Sequence, residues 1–167
     1  MNANYWINKL SLIEHPEGGY FRETYRSEHS LHPDALPAGL SGGHQLATSI
    51  YFLITNDKPS HFHQLKSDEL WHFHEGSSIT VHTIDVEGEY RELKLGRNVE
   101  AGEDFQHIVP SHTWFGATVE EPGGFGLVSC TVVPGFEFSD FELGSRSELL
   151  REFPEHQQII ERLTGSE

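Results

Sequence analysis

Residues 60–76 read Ser60-His61-Phe62-His63-Gln64-Leu65-Lys66-Ser67-Asp68-Glu69-Leu70-Trp71-His72-Phe73-His74-Glu75-Gly76, and how this stretch folds decides the architecture. His61 and His63 are two apart. On a strand, residues i and i+2 point to one face, so the two imidazoles can converge. A short polar turn, Gln64 to Asp68, leads to Glu69, which opens a second strand over Leu70 to His74. Paired as a hairpin, the two strands would set Glu69 beside the histidines. Two ring nitrogens and a carboxylate suit a divalent transition metal and leave coordination positions open. The same side chains can instead form a metal-free polar floor in an apolar pocket. The expected cofactor is therefore none, or one divalent transition metal.

Outward from this stretch the chain has the texture of an all-β protein. Tyr20 to Ser27, Leu46 to Thr55, Ser78 to Val86, Tyr90 to Leu95, Phe105 to Val109, Thr113 to Val119, Phe125 to Val133 and Gly135 to Phe141 read as strands. Turn signals separate them at roughly 8–12-residue spacing, the pattern of a sandwich or barrel. Trp6, Leu10 and Ile13 have helical spacing over Asn4 to Glu14, and His15-Pro16-Glu17-Gly18-Gly19 stops that helix. Residues 29–43, rich in Pro, Gly and Ser, read as a long loop of the kind that forms lids or interfaces. Ser145 and Glu148 form a capping box, and Pro154 suits the first position of a last helix ending near Gly165. The expectation is one domain over residues 1–167, with a barrel core at about 20–141 and helices at about 145–165.

Composition narrows the function. Eleven basic residues against 26 acidic ones give a net charge of −15. That sign repels phosphate backbones and anionic membranes, so neither nucleic acid nor membrane is an expected partner. The first twelve residues lack the basic and apolar regions of a signal peptide, and no run approaches the roughly 18 apolar residues of a membrane helix. With a single cysteine, Cys130, no internal disulfide can form, which fits a cytoplasmic protein. Cys130 itself reads as a small buried hydrophobe. Of twelve histidines, five fall between positions 61 and 82, a clustering that favours a site over surface decoration.

The order His61-Phe62-His63, Glu69, Gly76 resembles the first motif of the cupins. Five residues separate His63 from Glu69 instead of three or four. In the second motif His112 stands at the glycine position and Phe115 at that of the fourth metal ligand. A longer resemblance runs through His15-Pro16-Glu17-Gly18-Gly19-Tyr20-Phe21-Arg22-Glu23-Thr24-Tyr25, Ser67 to His74, Val109-Pro110 with Trp114, and Val133-Pro134-Gly135-Phe136-Glu137-Phe138-Ser139-Asp140-Phe141. On these segments the chain is identified as a member of the DUF985 (cupin_5) family of RmlC-like jelly rolls. The resemblance implies a double-stranded β-helix barrel, a homodimer and a cavity for a small-molecule ligand.

Candidate site residues follow from strand parity. Glu69, Trp71 and Phe73 share a face, so the aromatics are either barrel core or a wall on which a flat ring stacks. His72 and His74 then face away. Trp114, Phe136 and Phe138 could complete an apolar cleft or simply pack. Tyr51, with Ser49 on an expected inner strand, offers a hydroxyl. Arg22 could grip an anionic ligand or form a surface salt bridge. If the protein is a metal-free epimerase-like enzyme, His63 is the expected base and Tyr51 the acid. If it is a metal-dependent oxygenase or isomerase, His61, His63 and Glu69 hold the ion. A third possibility is a non-catalytic sensor or storage-like module.

Overall fold

The structure, a computed structural model, describes residues 1–165. Helix α1 (Ala3–Lys9) begins with the Asn2 side chain accepting from the Tyr5 N–H, an N-cap. It ends sooner than its apolar spacing predicts. Ser11 takes a φ of 52° and the chain straightens into β1 (Ile13–Glu14). The remaining strands are β2 (Tyr20–Arg26), β3 (Thr48–Thr55), β4 (Ser60–Leu65), β5 (Asp68–Gly76), β6 (Ile79–Ile84), β7 (Tyr90–Leu95), β8 (Gln106–Val109), β9 (Trp114–Thr118), β10 (Phe125–Val133) and β11 (Phe141–Leu143). Helices α2 (Arg146–Glu152) and α3 (Gln157–Arg162) follow. The expected capping box forms at its first half: the Ser145 side chain accepts from the Glu148 N–H.

Two antiparallel sheets face each other, one ordered β1-β2-β3-β10-β5-β8 and the other β11-β4-β9-β6-β7. From β4 to β5, from β5 to β6, and at each step from β7 to β11, the chain crosses from one sheet to the other. This alternation is the double-stranded β-helix of a jelly roll. It corrects the expected hairpin, because β4 and β5 lie in opposite sheets and share no ladder. It also corrects residues 135–141, which form no strand through Phe138 but a turn with a short 3-10 segment at Phe138–Asp140.

Strand alternation sorts the apolar residues. In β3, Ile50, Phe52 and Ile54 point between the sheets, where Phe52 and Ile54 join Trp71, Phe73, Val81, Phe115 and Val128 in the core. Leu53, one residue out of phase, faces outward and packs with Leu12, Leu127 and the apolar side of α1. On the second sheet, Phe62 and Ile84 face outward and are covered by Leu149, Phe153, Ile160 and Leu163 from the C-terminal helical segment. Each such buried side chain contributes about 1.5–3 kcal/mol. The helices thus seal one sheet, and among the described residues none is long and apolar enough to cross a membrane. The core does not fill the barrel completely, and the gap it leaves holds the polar residues.

Candidate functional site

A cavity of about 100 Å³ lies between the sheets, open toward the β2 end. Its floor is polar, made by Glu17, His63 and Glu69, and its walls carry Phe21, Phe52, Ile50 and Val132. Glu17 reaches it because of the turn that precedes β2. Gly18 has a φ of 108°, and a Cβ there would sit 2.2 Å from the Pro59 carbonyl oxygen. Gly19, at φ 68°, lies against the Leu53 carbonyl in the same way. Only glycines allow this approach. The turn is clamped by Gly18 N–H donating to the His15 carbonyl and His61 N–H donating to the Glu17 carbonyl. A segment that reads as a helix stop is therefore the device that drives a carboxyl into the barrel.

The Glu17 carboxyl is buried and fully engaged. Oε1 accepts from the Ser60 hydroxyl at 2.8 Å. Oε2 lies 3.1 Å from His63 Nε2 and 3.4 Å from His15 Nδ1. The hydrogen bonds and burial together assign the proton. His63 Nδ1 is 2.8 Å from the His61 carbonyl, which can only accept, so Nδ1 carries a hydrogen. His15 Nδ1 accepts from the Glu17 backbone N–H. With the ring neutral, His63 presents a bare Nε2 to Oε2, and a protonated Glu17 supplies the hydrogen between them. Burial works the same way. It raises Glu17 well above the usual carboxylate range, with the nearby Glu69 charge adding to the rise. It lowers His63 to about 3 and His15 to about 4. The contact has the geometry of an ion pair, but desolvating two charges costs several kcal/mol each, and the neutral pair prevails.

Glu69 differs from Glu17 in being incompletely satisfied. It is 6% exposed, and its Oε2 has no hydrogen-bond partner among the described residues. Burial raises its carboxyl to about 7, opposed by a hydrogen bond with the Cys130 thiol. Burial in turn pushes the Cys130 thiol well up, so the cysteine is a neutral donor. A carboxyl that titrates near neutrality, lines a cavity and leaves one oxygen unpartnered can accept or release a proton there.

The mouth is built by β2 and the segment after β10. Thr24 bulges out of register between Glu23 and Tyr25, which turns both Glu23 and Arg26 toward the cavity. The Arg26 guanidinium takes both Glu23 oxygens at 3.0 and 2.8 Å and Glu137 Oε1 at 2.9 Å. Phe136, Phe138 and Phe141 form the aromatic rim, with Phe136 and Phe138 edge-to-face at 4.9 Å. Their segment is pinned by a buried contact of His44 Nε2 with Asp140 Oδ2 at 2.6 Å. That contact gives the long loop before β3 a purpose: it anchors the rim.

This constellation can be set beside known proteins. The profile of the family described as Cupin superfamily (DUF985) matches residues 4–144. The chain belongs to this family. An uncharacterized protein of Saccharomyces cerevisiae is 33% identical over 144 residues, covering 80% of this chain and 71% of that one. A hypothetical protein from Leishmania major has a structure similar at TM-score 0.90 and 35% identity, covering 99% of this chain and 100% of that chain. A structure from Shewanella oneidensis aligns at TM-score 0.89 and 42% identity over 100% of this chain and 99% of that chain.

In this cupin the sequence-predicted residues separate into those at the cavity and those elsewhere. His63 and Glu69 both line it, from opposite sheets rather than one hairpin. Phe136 and Phe138 line its rim. His61 does not join His63: one extra residue in β4 between the Ser60–Ala117 and His63–Phe115 pairs shifts its parity, and it lies near Arg146 instead. Among the described residues no three His, Cys, Asp or Glu side chains could together hold a metal ion. His63 Nε2, moreover, already faces Glu17. The set His61, His63 and Glu69 therefore does not fit a metal.

Position corrects Tyr51 and decides between the alternatives left open for Arg22, Trp114, Trp71 and Phe73. Tyr51 shares parity with Leu53, so it lies on the outer sheet face, beneath the Arg22 guanidinium and edge-on to His74. Arg22 is outside with it. Trp114 packs against the helix-side cluster. Trp71 and Phe73 share Glu69's face but are buried in the core at 1% and 8% exposure, away from the cavity lining. Glu17, His15, Glu23, Arg26 and Cys130 were not legible as site residues. Only the paired glycines after Glu17 signalled a turn tight enough to matter.

Proposed function

We propose that this cupin binds a small ring-bearing metabolite in its barrel cavity and moves a proton on it without a metal, as an isomerase or epimerase would. The observation that carries this reading is Glu69, which lines a cavity of about 100 Å³ while its buried Oε2 has no partner among the described residues. An engineered cavity of about 150 Å³ holds benzene, so a single ring entering partway through the open rim suits this one. Glu69 acts as the general acid or base, since proton transfer is fastest when a group titrates near the working pH. That assignment replaces His63, whose two nitrogens are already engaged. Glu17 and His63 are positioning residues: the hydrogen they share holds the floor rigid.

Ligand-observed NMR with single-ring polar fragments tests the binding part. Fragments should bind the wild type and be lost from Ile50→Phe, which fills the cavity, and weakened in Phe138→Ala at the exposed rim. Binding that survives both substitutions contradicts the reading. Deuterium wash-in from D2O at a ligand C–H, present in the wild type and absent in Glu69→Gln with binding retained, tests the catalytic part. A binder that exchanges no hydrogen in either protein leaves a sensor module instead. The family resemblance adds a homodimer and the lone buried Cys130 a cytoplasmic setting; sedimentation of the purified chain tests the former.

A further inference from the structure

Resting on that reading, we infer that the cavity's ligand is a small nitrogen-bearing ring cation, its N–H groups donating to Glu69 and its charged face set against the phenylalanine rim. Three features converge on this class. The first is the floor: Glu69 lines the cavity with one carboxyl oxygen unpartnered, and once ionised the group can only accept, so it calls for a donor. A donor that carries charge makes the stronger, shorter bond.

The second is the balance of charge around the cavity. With Glu17 protonated, three further carboxyl side chains, Glu23, Glu69 and Glu137, line it against one guanidinium, Arg26. Arg26 is held on both sides, by Glu23 and by Glu137. An anionic ligand would have to break those contacts to reach a positive charge. His15 and His63 offer none, because burial keeps both rings neutral. Beyond the cavity, the net charge of −15 raises the local concentration of cations.

The third is the wall. Phe136, Phe138 and Phe141 meet edge-to-face within 6.3 Å of one another. Aromatic faces carry negative quadrupole and attract a desolvated organic cation. Neutral apolar rings would use the same wall but leave the Glu69 oxygen without a partner, at a cost of about 1–3 kcal/mol.

Calorimetric titration of the full-length protein with benzamidinium, benzamide and benzoate tests the inference, since the three share one ring and differ in charge. Benzamidinium should bind about ten-fold or more tighter than benzamide, with benzoate weakest. In Glu69→Gln the preference for benzamidinium over benzamide should collapse to about two-fold or less. The wild-type ranking stands on its own should that variant not fold. Benzamide binding as tightly as benzamidinium, with both lost in Ile50→Phe, overturns the cation while leaving the cavity reading intact. Binding of none of the three overturns both.

Discussion

His63 Nε2 and Glu17 Oε2 lie 3.1 Å apart and share one hydrogen, which the burial of both groups places on the carboxyl. His63 Nδ1–H already donates to the His61 carbonyl, and burial keeps the ring neutral, so its other nitrogen accepts. This assignment predicts that Glu17→Gln is tolerated. The amide NH2 replaces Oε2–H toward His63, and the amide oxygen replaces Oε1 toward Ser60. Urea unfolding should show a loss within about 1 kcal/mol for Glu17→Gln but about 3 kcal/mol or more for Glu17→Ala, which strands His63 and Ser60 and opens a void. A Glu17→Gln loss as large as that of Glu17→Ala would mean the pair is ionic.

Stability should depend on pH through opposed groups. Glu69, raised from 4.5 to about 7, binds its proton more tightly folded than unfolded. Its contribution is complete below about 4.5 and is lost as pH rises through 7. Glu17, raised well above 4.5, has the same sign. His63 and His15, lowered from 6.5 to about 3 and about 4, act oppositely and cost stability as pH falls below about 6.5. The check is the difference in unfolding free energy between wild type and Glu69→Gln. It should shift in favour of the variant by about 2–3 kcal/mol between pH 5 and pH 8. A flat difference contradicts the buried, protonatable Glu69.

Gly18→Ala should damage both the fold and the site. The new Cβ meets the Pro59 carbonyl at 2.2 Å in a backbone of φ 108°, so the turn must move and Glu17 with it. A loss of about 3 kcal/mol, or roughly 6–12 °C in Tm, is expected by thermal unfolding. Ala at Gly123, where φ is 71° but no atom lies within 4 Å, should cost about 1 kcal/mol. Equal effects at the two positions would show that backbone conformation, not the close approach, governs Gly18.

Substitutions outside the cavity provide the controls. Tyr51→Phe, Arg22→Ala and Trp114→Phe touch the outer sheet face or the helix side and should leave fragment affinity within about two-fold. Phe136→Ala should weaken it by about five-fold or more, the loss of one aromatic contact worth about 1 kcal/mol. NMR titration of each variant checks the contrast, and a loss with Tyr51→Phe would return the site to where parity alone had placed it.

How much of this was legible in the sequence depends on which physical signal carried it. Strand spacing and turn residues announced the barrel, and β7 and β10 match their expected ranges. His63 and Glu69 were found by residue type, but the hairpin that was to join them does not exist. Local pattern cannot show that β4 and β5 enter different sheets, since a two-residue connection is compatible with either. His61 was misplaced by a single inserted residue in β4, and one slip reverses every side chain beyond it. Tyr51 failed for a related reason: Tyr51 and Phe52 are both apolar enough to face inward, so β3 carries no clear alternation. Glu17 went unread because its meaning lies in a long-range approach to Pro59, which no window of sequence contains.

Carbon-13 NMR of the glutamate side-chain carboxyls, assigned with Glu69→Gln and Glu17→Gln, tests the account most directly. At pH 6 both resonances should have the shift of a protonated acid, with Glu69 titrating near 7 and Glu17 titrating well above the usual carboxylate range. Two carboxyls titrating together near 4.5, as solvated glutamates do, would contradict it.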